Sequence, residues 1–197
     1  MNPTPRTKSI NVNSYTYPYI GIKKELTRPS KPKHIDFFKV IEDRRSNKEL
    51  LPLEANQLDF LLWYSSRTRD AYVDEDYILS KRPSPSAGAV HPIDILINHA
   101  GDNFFSIYSP FEHGVYRLDF LEEKVQSFIN HISLAFPSRK GTLLWFIIHP
   151  YRTDKYYNNS ESLVWRDAGA LMQTIALTCS ALGIGWLSRR NPSQTIY

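Results

Sequence analysis

Residues 162–182 read as one unbroken helix, and that helix constrains the rest of the chain more than any other feature. Ala168, Leu171, Ile175, Thr178 and Leu182 recur at helical spacing, and a helix of that length is about 30 Å long. Ala168, Gly169 and Ala170 allow close packing near its start, and Gly183 supplies a left-handed cap at its end. Just ahead of it, the apolar run TLLWFII at 142–148 reads as a strand buried on both faces. A long helix feeding a short strand expected at 184–187, in a chain that otherwise sets helices before strands, points to an α+β fold with a mixed, mainly antiparallel sheet flanked by helices.

The remaining elements fit that plan. Phe37, Phe38 and Ile41 share the face of a short helix over 34–43, and Leu58, Leu61, Leu62 and Trp63 form the apolar face of a second over 54–66. Residues 67–81 read as polar and irregular. Strands are expected at 93–98, 104–108 and 115–120, joined as an antiparallel meander, followed by an amphipathic helix over 121–134. Residues 151–162 read as a polar, tyrosine-rich loop.

The 197 residues suffice for one domain with a sizeable core. The net charge of +4 is unevenly placed. Residues 1–33 hold seven cations and one acid, so this stretch carries +6 and the remainder −2. That divides the chain into a basic N-terminal arm, 1–33, and a domain over 34–197. The arm reads first as a solvated tail, with Tyr15, Tyr17 and Tyr19 spaced to lie extended on a surface; nucleic-acid binding is disfavoured. With no membrane-length apolar run, no secretory signal and a single cysteine, Cys179, the expected location is cytoplasmic. The six histidines show no metal-ligand spacing, so no metal is expected. No phosphate-binding glycine motif follows a strand, no serine-hydrolase elbow occurs, and Cys179 in an apolar helix reads as an inert thiol.

Three clusters remain. Arg44, Arg45, Ser46, Asn47 and Lys48 place cations and small polar groups together, as a phosphate requires, although a solvated charge run has the same composition. The stretch RPSPSAGAVHP at 82–92 is stiffened by Pro83 and Pro85, carries the hydroxyls of Ser84 and Ser86, and is bare at Ala87 and Gly88. Such a loop can hold a flat polar ligand or be a plain turn. His91 within it reads equally as ligand-facing or structural. The third cluster is the helix from Arg166 to Gly185.

In this order and spacing the clusters resemble the nitroreductase superfamily of flavin enzymes, and more closely its azoline dehydrogenases of the SagB or McbC type. RRSNK resembles the family's Arg-Arg-Ser-x-Arg element, RPSPSAGAVHPIDILI its proline-serine-glycine loop and strand, and VWRDAGALMQTIALTCSALGIG its Arg-Asp-Ala-Gly helix. The resemblance covers most of 34–187. It implies FMN bound at a homodimer interface. Arg44, Arg45, Ser46 and Lys48 would hold phosphate, ribityl or ring edge. Pro83, Ser84, Ser86, Ala87 and Gly88 would contact the flavin from the opposite chain, Gly183 and Gly185 would let backbone approach it, and Arg189 would add a phosphate contact. Lysine stands at 48 where the family often has arginine. The sequence ends ten residues past Leu187, short of the family's further helix and strand, which implies a smaller dimer, a weaker flavin site or a degenerate member.

The azoline-dehydrogenase branch carries a Lys-Tyr pair ahead of the Asp-Ala-Gly helix, matched here by Lys155 and Tyr156. Oxidising an azoline to an azole removes a hydride and a proton; the resemblance implies FMN for the first and Lys155 as base for the second, with Tyr156 assisting. An exposed Lys-Tyr-Tyr loop is the other reading. The expected function is therefore an FMN-dependent dehydrogenase of azoline rings in a ribosomal peptide, acting as a homodimer beside a partner cyclase. The alternatives are a nitro or quinone reductase using NAD(P)H on a small molecule, and a non-catalytic binding subunit of the same fold.

Overall fold

The structure is a computed structural model that describes residues 2–13, 15–30, 34–47, 50–54, 56–135 and 140–188. Among these, the chain runs β1 (Thr4–Pro5), β2 (Tyr19–Glu25), α1 (Phe37–Asp43), α2 (Gln57–Ser66), β3 (Asp70–Asp74), β4 (Tyr77–Lys81), a short 3-10 turn (Ala87–Ala89), β5 (Ile93–Asn98), β6 (Ser106–Ser109), β7 (Gly114–Leu118), α3 (Glu122–Ala135), β8 (Leu143–Ile148), α4 (Pro150–Asp154), β9 (Tyr157–Asn158) and α5 (Glu161–Leu182).

Five strands form the main sheet in the order β2-β7-β6-β5-β8, every neighbour antiparallel. The fold is α+β, with helices covering both faces of this sheet. Side chains of a strand alternate between faces, and β5 shows what that separates. Ile93, Ile95 and Ile97 pack with Leu58, Leu61 and Leu62 of α2 and Leu171, Ile175 and Cys179 of α5. Leu96 points the other way, into a second cluster with Tyr17, Phe105, Ile107, Leu118 and Val125 of α3. The helix expected over 162–182 is α5, and Gly183 caps it with φ 68. Burial pushes the Cys179 thiol up to about 12, as an inert core cysteine requires.

Several expectations are corrected. Residues 70–81 are not irregular but form the β3–β4 hairpin, with Glu75 in the left-handed region at its tip. Residues 150–158 are α4, begun by Pro150 in its first turn, and the short strand β9. β8 has apolar groups of both clusters on its two faces, yet each residue is only half-buried because it lies at the sheet edge. The strand expected at 184–187 is absent; Ile184 and Trp186 pack against the core instead. Nor is the N-terminal stretch a free tail, since β2 is an edge strand of the main sheet and β1 pairs with β9.

What fastens that stretch is a buried polar cluster at the start of β5. Arg152 of α4 grips Asp94 with both Nη atoms at 2.7 Å, His149 Nε2 lies 2.9 Å from Asp94 Oδ2, and the Tyr17 hydroxyl donates to the same oxygen at 3.1 Å. Burial pushes the Asp94 carboxyl upward, but the hydrogen bonds and charge of His149 and Arg152 outweigh it and hold the group well below the usual carboxylate range. A depressed folded value contributes stability that is fully present above about pH 4 and is lost as pH falls through the folded value. Asp94→Ala, which strands the Arg152 guanidinium, should cost about 3–5 kcal/mol in urea unfolding at pH 7. Asp94→Asn should flatten the acid limb of stability against pH, and an unchanged limb would refute this account.

Candidate functional site

The loop over 82–92 is bound to α5 by one carboxylate. Asp167 accepts from the Ser86 hydroxyl at 2.5 Å and from the Ala87 N–H at 3.2 and 3.3 Å. The Ser86 oxygen in turn accepts from the His91 N–H at 2.9 Å. Asp167 is only 8% exposed, and burial lifts its pKa against the opposing pull of these hydrogen bonds. The aspartate of the Arg-Asp-Ala-Gly stretch is thus a loop anchor, a role the sequence did not reveal because its partners lie about eighty residues away.

Anchoring fixes what the loop can offer. The polar groups of Ser86 and Ala87 are engaged inward, and Ser84 is 3% exposed against a cavity of ≈ 20 Å³ that it shares with Arg82, His91, Asp94, Tyr108 and Asp167. That volume admits about one water. His91 is structural: it is buried, and burial with the Arg82 charge pushes its ring down to about 3, so it is neutral at ordinary pH. Pro85 and Gly88 form the outward part of the loop. Gly88 has φ 60, where a side chain is strained, and a Cβ there would crowd the Tyr157 hydroxyl at 2.9 Å.

Tyr157 leads to the Lys-Tyr pair. Lys155 follows α4 directly and is 1% exposed. Its Nζ lies 2.6 Å from Asp76 Oδ1 and 3.8 Å from Glu75 Oε2, both at the tip of the β3–β4 hairpin. The reading of an exposed Lys-Tyr-Tyr loop is therefore excluded for the lysine. The lysine's hydrogen bond holds the Asp76 carboxyl below its ordinary value. The Tyr156 hydroxyl is buried beside Asp74 without reaching hydrogen-bond geometry, and burial followed by that carboxylate raises its pKa. Neither acid of the hairpin tip stood out in the sequence.

The first and third clusters meet elsewhere. The Asn47 N–H donates to the Trp186 carbonyl at 2.9 Å, and a Cβ on Gly185 would come within 3.3 Å of the Asn47 side chain. Together Asp43, Arg45, Asn47, Ser180, Gly183 and Trp186 line an open cleft of ≈ 200 Å³ at the C-terminal end of α5. Arg45 Nη1 donates to the carbonyls of Glu42 and Arg44 at 2.6 and 2.9 Å and remains exposed. Arg44 caps α1 and Ser46 is exposed. Lys48 and Arg189 lie outside the described residues.

The sequence clusters thus gather at the two ends of α5. The 82–92 loop is held at Asp167, and the arginine cleft lies at Gly183. Sixteen residues of helix separate Asp167 from Gly183 by about 24 Å.

No family model matches the chain, and no curated protein sequence matches it. Solved structures do. The chain superposes on a candidate nitroreductase of Ralstonia eutropha JMP134 with a TM-score of 0.58 at 18% identity, over 94% of this chain and 83% of that one. The chain has the nitroreductase fold. It also matches a chain of the Escherichia coli microcin synthetase McbBCD complex with truncated pro-MccB17 bound, with a TM-score of 0.51 at 19% identity, over 82% of this chain and just under two thirds, 65%, of that one. A candidate nitroreductase of Anabaena variabilis ATCC 29413 matches over 62% of this chain and 26% of its own, with a TM-score of 0.48 at 20% identity. At such identities the likeness is one of fold, and it accords with the resemblance read from the sequence. Among the described residues no helix is long and apolar enough to cross a membrane.

The donor set of the arginine cleft fits one end of a flavin mononucleotide: an exposed guanidinium with one Nη held by backbone carbonyls, a side-chain amide, glycine backbone and an indole. Asp43 opposes it in charge but is paired with Lys39 at 2.7 Å. Of the 82–92 loop only the outward part is available. Removing its anchor should be visible directly. Asp167→Ala should lower stability by about 1–3 kcal/mol and abolish the hydrogen-exchange protection of the Ala87 amide, and retained protection would show that the loop is held by something else.

Proposed function

We propose that this nitroreductase-fold chain is an FMN-dependent oxidoreductase that dehydrogenates azoline rings in a peptide, working as a homodimer. The observation that carries this reading is Lys155: an ammonium group shielded from water, two residues before Tyr157, whose hydroxyl lies against Gly88 of the loop. Burying a lysine is costly unless it is paired, and a chain that needed only an ion pair could have placed it at the surface. The placement of half-sites at opposite ends of α5 supports two chains per site, with the arginine cleft of one facing the loop and Lys155 of the other.

In that arrangement Arg45, with Arg44 and Ser46 nearby, would hold the phosphate. Asn47 and the backbone at Gly183 and Gly185 would meet the ribityl chain or ring, and Pro85 and Gly88 would close over it from the second chain. Bound FMN supplies an acceptor for the hydride. Lys155 would take the proton from the substrate ring as the neutral amine, which requires that Nζ first give up its own proton, to Asp76 or to water, and leave that carboxylate. Tyr156, whose hydroxyl stays protonated under these conditions, would orient that exchange as a donor. A partner cyclase that forms the azoline would supply the substrate, and the McbBCD neighbour is itself part of a multi-subunit complex with a peptide bound.

The purified protein should be yellow, with close to one FMN per chain, and dimeric by light scattering. A colourless monomer that fails to take up added FMN would overturn the reading in favour of a non-catalytic member. Lys155→Met, which fills the same buried space, should retain FMN while turnover of an azoline peptide falls by about 10²–10⁴; unchanged turnover would remove Lys155 from the chemistry. Rapid bleaching of the flavin by NAD(P)H without any peptide requirement would instead favour a nitro or quinone reductase.

A further inference from the structure

The chain's own first residues lie across the buried lysine as a peptide would. Thr4 and Pro5 pair antiparallel with Asn158 and Tyr157. The Arg6 N–H then donates to the Tyr156 carbonyl at 2.8 Å, and the Ile10 N–H donates to the Lys155 carbonyl at 3.2 Å. Arg6 Nε adds a bond to the Asp154 carbonyl at 2.8 Å. These partners are main-chain groups, and an edge that is read through its backbone accepts an extended segment of almost any sequence.

The segment is held shallowly. None of the described residues from 2 to 13 is buried, so its departure exposes little apolar surface and costs little by that route. The first buried residue among those described is Tyr17, fastened to Asp94, which keeps the arm attached when the part before it lifts. The segment also touches the group that holds the lysine. The Ser9 hydroxyl donates to the carboxylate of Glu75, and Glu75 and Asp76 are the two acids at Lys155 Nζ. Lifting the segment therefore loosens the hairpin tip that must move for Nζ to meet a substrate.

We propose that the backbone edge from Asp154 to Asn158 is a binding site for an extended peptide, and that residues 4–10 occupy it as an intramolecular strap which the substrate peptide displaces. That the incoming peptide is the substrate rests on the reading of Lys155 as the base; that the edge binds a peptide does not. The strap competes as a tethered ligand at high effective concentration, so a free peptide binds weakly until the strap is weakened.

The test uses the full chain carrying Arg6→Pro and Ile10→Pro, which removes both backbone donors and leaves the core untouched. A fluorescein-labelled peptide with the sequence of residues 2–13, NPTPRTKSINVN, is titrated by anisotropy. It should bind the double variant at least tenfold more tightly than the unaltered protein; equal or no binding to a variant with an unchanged circular dichroism spectrum would overturn the proposal. The unaltered protein provides a second test that needs no substitution. Hydrogen exchange at the Arg6 and Ile10 amides should be at least a hundredfold faster than in β5, because the strap opens without global unfolding. Equal protection would also overturn the proposal. Repeating the titration in flavin-free protein that carries Lys155→Met in addition to the two prolines, and measuring turnover in the flavin-loaded Lys155→Met protein, separates the two readings: retained peptide binding together with unchanged turnover would refute the base and leave the edge standing.

Discussion

A buried carboxylate has to find donors, and Asp167 finds them in the loop ahead of β5. That requirement joins the first turns of the longest helix to the entry of the central strand, and the rest of the site is arranged around the junction. Once Ser86 and Ala87 are drawn inward, Ser84 and His91 close over the small polar cavity, Gly88 is turned outward onto Tyr157, and the Lys-Tyr segment is set against the loop. The same chain of contacts fixes where Lys155 can lie. Its ammonium reaches the hairpin tip because α4 is itself pinned through Arg152 to Asp94, only two residues beyond the end of the loop.

The parts of the fold governed by short-range rules were legible in the sequence. Helix α5 follows from a repeat of apolar residues and a glycine that tolerates positive φ, and β5 follows from its alternation. The β3–β4 hairpin was not legible. Its apolar stretches, Ala71–Val73 and Tyr77–Leu79, are only three residues each and bounded by charged or polar groups, and its turn contains Asp-Glu-Asp where a glycine or asparagine would have announced it; Glu75 adopts the left-handed region without that signal. The expected strand after Gly183 failed for a different reason. Ile184 and Trp186 are apolar because they cover the core, and among the described residues no strand pairs with them.

The site was legible as a set of residue types, not as geometry. The clusters at 44–48, 82–88 and 166–185 were visible, but which of them meet was not. The Asn47 to Trp186 bond joins the first to the third at one end of α5, whereas Asp167 joins the second to the third at the other. The partners of Lys155 could not be read at all, because Asp76 lies 79 residues away in sequence on a hairpin that local pattern did not reveal. Long-range pairing of charged groups leaves no periodic trace, and in this chain it decides how the candidate base is held.

The length of α5 has a consequence for heredity. If one functional centre needs the Gly183 end of one chain and the Asp167 end of another, damage to the two ends falls on different halves of the pair. A chain lacking Arg45 and a chain lacking Lys155, each without value alone, still contain between them one whole centre. The two genes would complement each other, and the two ends of the helix could diverge in separate copies, turning a pair of identical chains into a pair of unequal ones.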